Sequence, residues 1–129
     1  MGSDEIMAFI EYNTNPYGVD IDDCIIRAIT CATGKDYFDV MDGLIAVADD
    51  HDWDIDELRT MNVYLMSIGW EHCELEEPMT VKQFSKAIAD PRILVVTGHA
   101  TCTKNGNTYD TWNCNRYRVK HIYRKHIDE

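Results

Sequence analysis

The chain has 129 residues, which is enough for a single domain with one modest hydrophobic core. Its net charge of −11 argues against a nucleic-acid partner. No apolar stretch approaches the length of a membrane span, and no signal-peptide pattern opens the chain. Its five cysteines include no Cys-x-x-Cys pair, which favours reduced thiols over disulfides or a zinc knuckle. We therefore expect one soluble cytoplasmic domain, spanning residues 1–129, with no membrane partner and no cofactor.

The charge is unevenly distributed along the chain. Residues 1–90 carry 20 acids against 5 Lys and Arg, whereas residues 91–129 carry 3 acids against 7. The basic run RYRVKHIYRKH, residues 116–126, supplies most of the later excess. Its simplest interpretation is a strand whose charges pair with the acidic first part, and the alternative is a docking patch for an acidic partner.

The first predicted helix covers CIIRAITCATG, residues 24–34, and follows an irregular, turn-rich stretch over residues 11–23. Its apolar residues recur at the i, i+3, i+4 and i+7 spacing of a helix face. Asp22 or Asp23 is a suitable N-cap, and Gly34 is a natural stop.

The remaining elements follow in chain order. The apolar spacing predicts helices over residues 35–52, 54–69 and 80–90, the last opening with Thr80 and Gln83 in capping-box spacing. The apolar run at residues 92–98 predicts a buried strand, and the alternating residues 115–126 predict another. Helices followed by an antiparallel sheet form an α+β fold, with N-terminal helices packed on a C-terminal sheet.

A hairpin is predicted over GHATCTKNGNTYDTWN, Gly98 to Asn113, because Asn105-Gly106 is a strong two-residue turn signal. With that turn, residues pair when their numbers sum to 211. His99, Asp110 and Trp112 then share one face of the sheet, and Cys102 points to the other. His99 and Asp110 become diagonal neighbours with Cα atoms about 7–8 Å apart, close enough for a hydrogen bond between their side chains.

Cys24 stands at the start of the first predicted helix. The positive end of the helix dipole and free N–H groups favour a thiolate there, although Asp20, Asp22 and Asp23 oppose it. A histidine within reach would form a thiolate–imidazolium pair, and a third group would orient the ring. Cys24, His99 and Asp110 in this order match the general pattern of a cysteine hydrolase.

The stretches DIDDCIIRAITCATG and GHATCTKNGNTYDTWN resemble the papain-like cysteine peptidase superfamily, more closely its small bacterial and phage members. The phrase around Cys24 is also similar to the Asp-Gly-x-Cys-Leu-Phe-Arg-Ala loop of ovarian-tumour-type deubiquitinases. Together the matched stretches cover roughly a quarter of the chain. The resemblance implies a nucleophile helix packed on an antiparallel sheet and thioester chemistry on an amide or isopeptide. It assigns Cys24 as nucleophile, His99 as general base and Asp110 as the orienting acid.

Two further site residues follow from this resemblance and from the hairpin. Papain-like enzymes usually place an oxyanion-binding Gln or Asn several residues before the cysteine, where this chain has Gly18. Asn15 is the nearest upstream amide, and the backbone N–H of Cys24 is a second candidate donor. Trp112 is a candidate wall of the site that shields the hydrogen bond between His99 and Asp110.

The leading hypothesis is therefore a cysteine hydrolase, a peptidase or isopeptidase acting on a protein or peptide. The alternative is a non-catalytic phage-type binding or inhibitor protein that engages a host partner in the host cytoplasm through its acidic surface. A zinc site is a third interpretation, although its candidate ligands have no standard spacing: His72, Cys73, His99, Cys102 and Cys114. Arg27, polar on a buried helix, is expected to pair with a nearby acid.

Overall fold

A computed structural model describes residues 8–19 and 21–126 of the chain. Asp20, one of the three acids expected to oppose a thiolate, lies outside these residues. The described part contains four helices and six strands, which confirms the α+β class. In chain order they are β1 (Phe9–Glu11), α1 (Cys24–Thr33), α2 (Tyr37–His51), α3 (Leu58–Ser67), β2 (Trp70–Cys73), α4 (Val81–Ala87), β3 (Arg92–Val96), β4 (His99–Lys104), β5 (Asn107–Asp110) and β6 (His121–Lys125).

The ends of the helices follow their local signals. Helix α1 begins at Cys24 as predicted, and Gly34 ends it in the left-handed region at φ 76°. Helix α4 opens with the expected capping box, in which the Thr80 hydroxyl accepts from the Gln83 N–H and the Gln83 side chain accepts from the Thr80 N–H. Helix α3 starts at Leu58, later than expected, because residues 54–57 form turns instead of a first helical turn.

The six strands form one sheet in the order β1-β5-β4-β3-β6-β2. The expected C-terminal antiparallel sheet is only partly right, because β1 pairs in parallel with β5 and both β1 and β2 precede the last helix. These two strands have three and four residues, too few to show a period in the sequence. The strand expected over residues 115–126 begins only at His121, since the preceding residues form turns.

Helices cover both faces of this sheet. Ile93, Ala100 and Tyr123 join the core formed with helices α1 to α3. Leu94, Val96 and Ile122 alternate with them and pack with α4 on the opposite face. Helix α1 lies directly against β4, so the start of the first helix and the start of this strand come close together.

The hairpin has the predicted two-residue turn. Asn105 and Gly106 both have positive φ values, 55° and 81°, as a turn of this kind requires. Lys104 pairs with Asn107 and Cys102 with Tyr109, so the predicted register is confirmed and no bulge shifts it.

The basic C-terminal run makes part of the expected pairing with acids of the earlier chain. Arg124 Nε lies 2.9 Å from a Glu71 carboxylate oxygen, and His126 Nδ1 lies 2.6 Å from the other. Within residues 8–19 and 21–126, no helix combines the length and apolar character needed to cross a membrane.

Candidate active site

His99 and Asp110 are joined by a short hydrogen bond within the hairpin. His99 Nε2 lies 2.6 Å from Asp110 Oδ2, and the two side chains are only 7% and 3% exposed. The contact follows from the turn, which sets the register, and from the alternation of side chains along the two strands. The hairpin thus holds an imidazole and a carboxylate together in a place with little water.

Protonation of this pair departs from the ordinary values in opposite directions. Burial lowers the pKa of His99, but hydrogen bonds with Asp110, Cys114 and Cys24 outweigh it and raise the pKa to about 11. Burial raises the pKa of Asp110, but the hydrogen bond and charge of His99 bring it below its usual range. At neutral pH the pair is therefore imidazolium and carboxylate.

Cys24 lies on helix α1, whereas His99 and Asp110 lie on the hairpin. Cys24 is the first residue of α1 and is half-buried against the core. Cys24 and His99 line the same cleft, and the interaction with Cys24 is one of the causes that raise the pKa of His99. The structure thus brings Cys24 of helix α1 to the same place as His99 and Asp110 of the β4–β5 hairpin.

A cleft of about 740 Å³ opens where Cys24 and His99 meet. One wall is the start of α1 with the β3–β4 turn, and the other is the end of α2 with the loop into α3. This volume is typical of a ligand pocket, and Cys24 lines it.

The start of α1 is held by a buried polar network around Asp23. Asp23 is the N-cap residue, but its side chain makes no capping hydrogen bond. Its carboxylate instead pairs with Arg27 and accepts from the Tyr37 hydroxyl at 2.6 Å and from Asn15 Nδ2 at 3.1 Å. Burial and then the bond to Asp23 raise the pKa of Tyr37 to about 12. The backbone N–H groups in the first turn of α1 therefore receive no cap from Asp23.

Asn15, the candidate oxyanion donor, is buried in this network. Its Nδ2 group points to Asp23 and to Tyr37, and its Oδ1 atom accepts from the Tyr17 N–H at 2.8 Å. In this arrangement the amide of Asn15 supports the N-cap residue that precedes Cys24. A role in binding an oxyanion stays a prediction.

Arg27 pairs with a nearby acid, as expected, and also reaches the hairpin. Its guanidinium contacts Asp23, while Nη2 lies 3.7 Å from Asp110 Oδ1 and 3.5 Å from the Thr111 hydroxyl. The pairing with Asp23 follows from the i,i+4 spacing. The second contact crosses most of the chain and has no local sequence signal.

Trp112 covers one side of His99. The two ring centroids are 4.6 Å apart, and Tyr117 packs edge-on against the indole at 5.4 Å. Trp112 is still 38% exposed, so it stands between the imidazole and solvent. Trp112 lies beyond the last residue of β5 and does not line the cleft, so its role as a wall of the site stays a prediction.

Cys114, expected only as a candidate zinc ligand, is a second thiol at the site. It is fully buried, and its Sγ lies 3.7 Å from Asp110 Oδ2. His99, Asp110 and Cys114 offer potential metal-ligand atoms within 4.8 Å of one another, the one such cluster found in the described residues. Cys114 follows Asp110 by four residues in an irregular segment, where no sequence period predicts the contact.

The other candidate zinc ligands are not part of this cluster. His72 lies on β2 and contacts His121 at 3.2 Å. Cys102 points to the α1 face, where it is hydrogen-bonded to Cys31, and this bond followed by burial raises the pKa of Cys102. His99 and Asp110 are themselves at hydrogen-bond distance, closer than two ligands of one tetrahedral zinc at ordinary bond lengths of about 2.0–2.2 Å.

Comparisons of the chain with protein-family models, with curated proteins and with solved structures found no match in any of the three.

Proposed function

We propose that the protein is a cysteine hydrolase, a peptidase or isopeptidase with Cys24 as nucleophile. The observation that carries this proposal is that Cys24 and His99 line one cleft while the buried Asp110 holds the imidazole. His99 Nε2 lies 2.6 Å from Asp110 Oδ2, and Cys24 is the one cysteine among the described residues that line the cleft. A thiol, an imidazole and an orienting carboxylate in this order form the pattern of nucleophilic acyl transfer.

Each residue then has a defined part in the reaction. Cys24, as thiolate, attacks the carbonyl carbon, and the imidazolium of His99 gives its proton to the leaving amine as the C–N bond breaks. His99 next removes a proton from water, whose oxygen attacks the thioester; the C–S bond breaks and releases the carboxylic acid, which leaves the Cys24 thiolate beside the His99 imidazolium as at the start. Because Asp110 holds Nε2, the nitrogen that exchanges these protons is Nδ1.

The developing oxyanion has donors at the start of α1. Asp23 makes no capping bond, so first-turn N–H groups beside Cys24 are available to a ligand, and the helix dipole favours negative charge there. This assignment requires no side-chain amide, which fits the use of Asn15 in bracing Asp23.

Arg27 and Trp112 act through the pair of His99 and Asp110. Arg27 contacts the carboxylate oxygen of Asp110 that His99 does not use, which fixes the carboxylate from behind. Trp112 excludes water from the ring of His99. Both are positioning residues, and neither touches the cleft.

Cys114 is a less suitable nucleophile than Cys24. It is fully buried beside the Asp110 carboxylate and does not line the cleft. Cys24 instead lines the cleft and stands at a helix N-terminus. We assign Cys114 a packing role behind the pair.

A papain-like arrangement is part of this proposal. It is supported by the nucleophile at the head of a helix that packs on a sheet, and by His and Asp on neighbouring antiparallel strands of that sheet. The parallel strand β1 and the helix α4 on the second face are additions to the expected plan.

Labelling with a peptidyl acyloxymethyl ketone tests the proposal, because this electrophile reacts with an activated cysteine in a substrate site. We expect modification of Cys24 alone, mapped by mass spectrometry, and its loss in His99→Gln. Cys73→Ala is the matched control, since Cys73 is also half-buried and has no such histidine contact in the described residues. Labelling of Cys114, or of Cys24 at the same rate in His99→Gln, would overturn the proposal. No labelling at all would favour a non-catalytic binding protein.

A further inference from the structure

We propose that the cleft beside Cys24 takes an extended peptide segment carrying Lys or Arg side chains next to aliphatic ones. This inference rests on the proposed function, since it names the substrate class of the same site. It is argued from the shape of the cleft, from the charge of its walls and from the apolar side chains between them.

Carboxylates line both walls of the cleft. Asp22 lies on the side of the nucleophile, two residues before Cys24. Asp49, Asp54 and Asp56 lie on the far wall, at the end of α2 and in the loop that follows. All four are exposed, unlike Asp23, whose charge is paired with Arg27.

Among the described residues, the charge of the one cation that lines the cleft, the His99 imidazolium, is paired with Asp110, so it does not offset these four carboxylates. None of the described residues that line the cleft is Lys or Arg, and its one basic side chain is His99. Low-dielectric walls of one sign concentrate the field between them and attract a ligand of the opposite charge. The complementary ligand is therefore cationic.

Aliphatic side chains lie among these carboxylates. Ile45, Ile55 and Leu58 line the cleft and are 37%, 38% and 40% exposed, although they are large hydrophobic residues. An apolar partner would remove their surface from water, with a gain in proportion to the area covered. A simple cation such as an amine or a metal ion would leave this surface exposed, whereas a peptide with aliphatic residues would cover it.

The far wall is built to keep its shape. Trp53 lines the cleft, His51 stacks on its ring at 4.2 Å, and the Arg59 guanidinium lies 4.5 Å from its centroid. Arg59 is also paired with Glu57, so its charge is compensated next to the cleft. A wall that is already ordered loses little conformational entropy when a peptide binds.

Binding is best measured in Cys24→Ala, so that chemistry does not contribute. Three fluorescent peptides of one length alternate leucine with lysine, with glutamine or with glutamate, and fluorescence anisotropy gives Kd at low salt. We expect the lysine peptide to bind about tenfold or more tightly than the glutamine peptide and the glutamate peptide to bind least. The preference should shrink as salt is added, because exposed charges are screened.

Amide variants locate the effect on the far wall. Asp49→Asn, Asp54→Asn and Asp56→Asn combined in the Cys24→Ala background should remove most of the preference for lysine over glutamine. Asp50→Asn is the matched control, since it is the next residue of the same helix, is exposed, and does not line the cleft. It should leave all three Kd values unchanged.

The outcomes separate this inference from the proposed function. Equal Kd values for the lysine and glutamine peptides, no binding of any peptide, or equal losses in the triple variant and in Asp50→Asn would overturn the inference. After any of these results, selective labelling of Cys24 in the wild type would still support the proposed hydrolase. Conversely, if the lysine peptide binds selectively but Cys24 is not labelled in the wild type, the cleft still binds cationic peptides and the proposed hydrolase activity is rejected.

Discussion

Arg27 Nη2 lies 3.7 Å from Asp110 Oδ1, which joins helix α1 to the hairpin through a buried ion pair. Because Arg27 also pairs with Asp23 and Asp110 also pairs with His99, a line of alternating charges runs from the N-cap of α1 to the imidazole. The relative position of Cys24 and His99 therefore depends on an arginine that does not touch the cleft.

Replacing Arg27 by methionine should destabilise the protein strongly. Two buried carboxylates, Asp23 and Asp110, would lose their shared cation, and breaking a buried pair costs about 3–5 kcal/mol. Urea unfolding measures the change. Arg124→Met is the control, since the pair of Arg124 with Glu71 is partly exposed and worth about 0–1 kcal/mol. Equal losses in the two variants would contradict the role given to Arg27.

Titration of His99 should show its dependence on Asp110. In the wild type the ring keeps its proton until the pH approaches the pKa of about 11, and in Asp110→Asn the pKa should fall. Nitrogen-15 NMR of the imidazoles reports both states. His121 is an internal contrast, because burial and the neighbouring His72 lower its pKa below the ordinary value. A His99 ring that titrates with His121 would refute the ion pair.

The same shift predicts how stability changes with pH. Because the folded pKa of His99 is raised, its contribution is complete below the unfolded pKa of about 6.5 and declines as pH rises toward 11. The difference in unfolding free energy between wild type and His99→Gln should therefore shrink across that window. A difference that stays constant from pH 6 to pH 10 would argue against a protonated His99 in the folded state.

Tyr37→Phe should weaken the support of α1. The Tyr37 hydroxyl donates to Asp23 at 2.6 Å, and a hydrogen bond to a charged group contributes about 1.5–3 kcal/mol. Urea unfolding is expected to show this loss. Tyr17→Phe, at a side chain that is 76% exposed, should change stability little. A neutral Tyr37→Phe would mean that Asp23 is held by its other partners alone.

Gly106→Ala should destabilise the hairpin, because Gly106 has a φ of 81° and the left-handed region costs an alanine about 1–2 kcal/mol. Asn105→Gly is the control, since glycine accepts a positive φ at no steric cost. Thermal unfolding of the two variants compares them. A stable Gly106→Ala variant would indicate that the turn can change its type without moving the strands.

Local chemistry explains which parts of the structure were predictable. Asn105 and Gly106 determine the turn, the turn determines the register, and the register places His99 next to Asp110. Helix α1 was predictable for the same reason, from its apolar spacing and from Gly34.

Features that depend on distant contacts were not predictable in this way. Strand β1 is short, and its pairing with β5 joins opposite ends of the chain. The Cys114 thiol lies 3.7 Å from Asp110 because of an irregular segment between them, and an irregular segment has no periodic signal in the sequence. Asp23 stands where the sequence predicts an N-cap. Its carboxylate is instead bound by Arg27, Tyr37 and Asn15.

The rate at which iodoacetamide alkylates each thiol at pH 6 tests the central claim most directly. As the proposed nucleophile beside His99, Cys24 should react on the order of 10- to 100-fold faster than Cys73, whose pKa is raised by burial. The advantage should disappear in His99→Gln and stay in Cys114→Ala. Cys24 reacting no faster than Cys73, or equally fast without His99, would contradict the account.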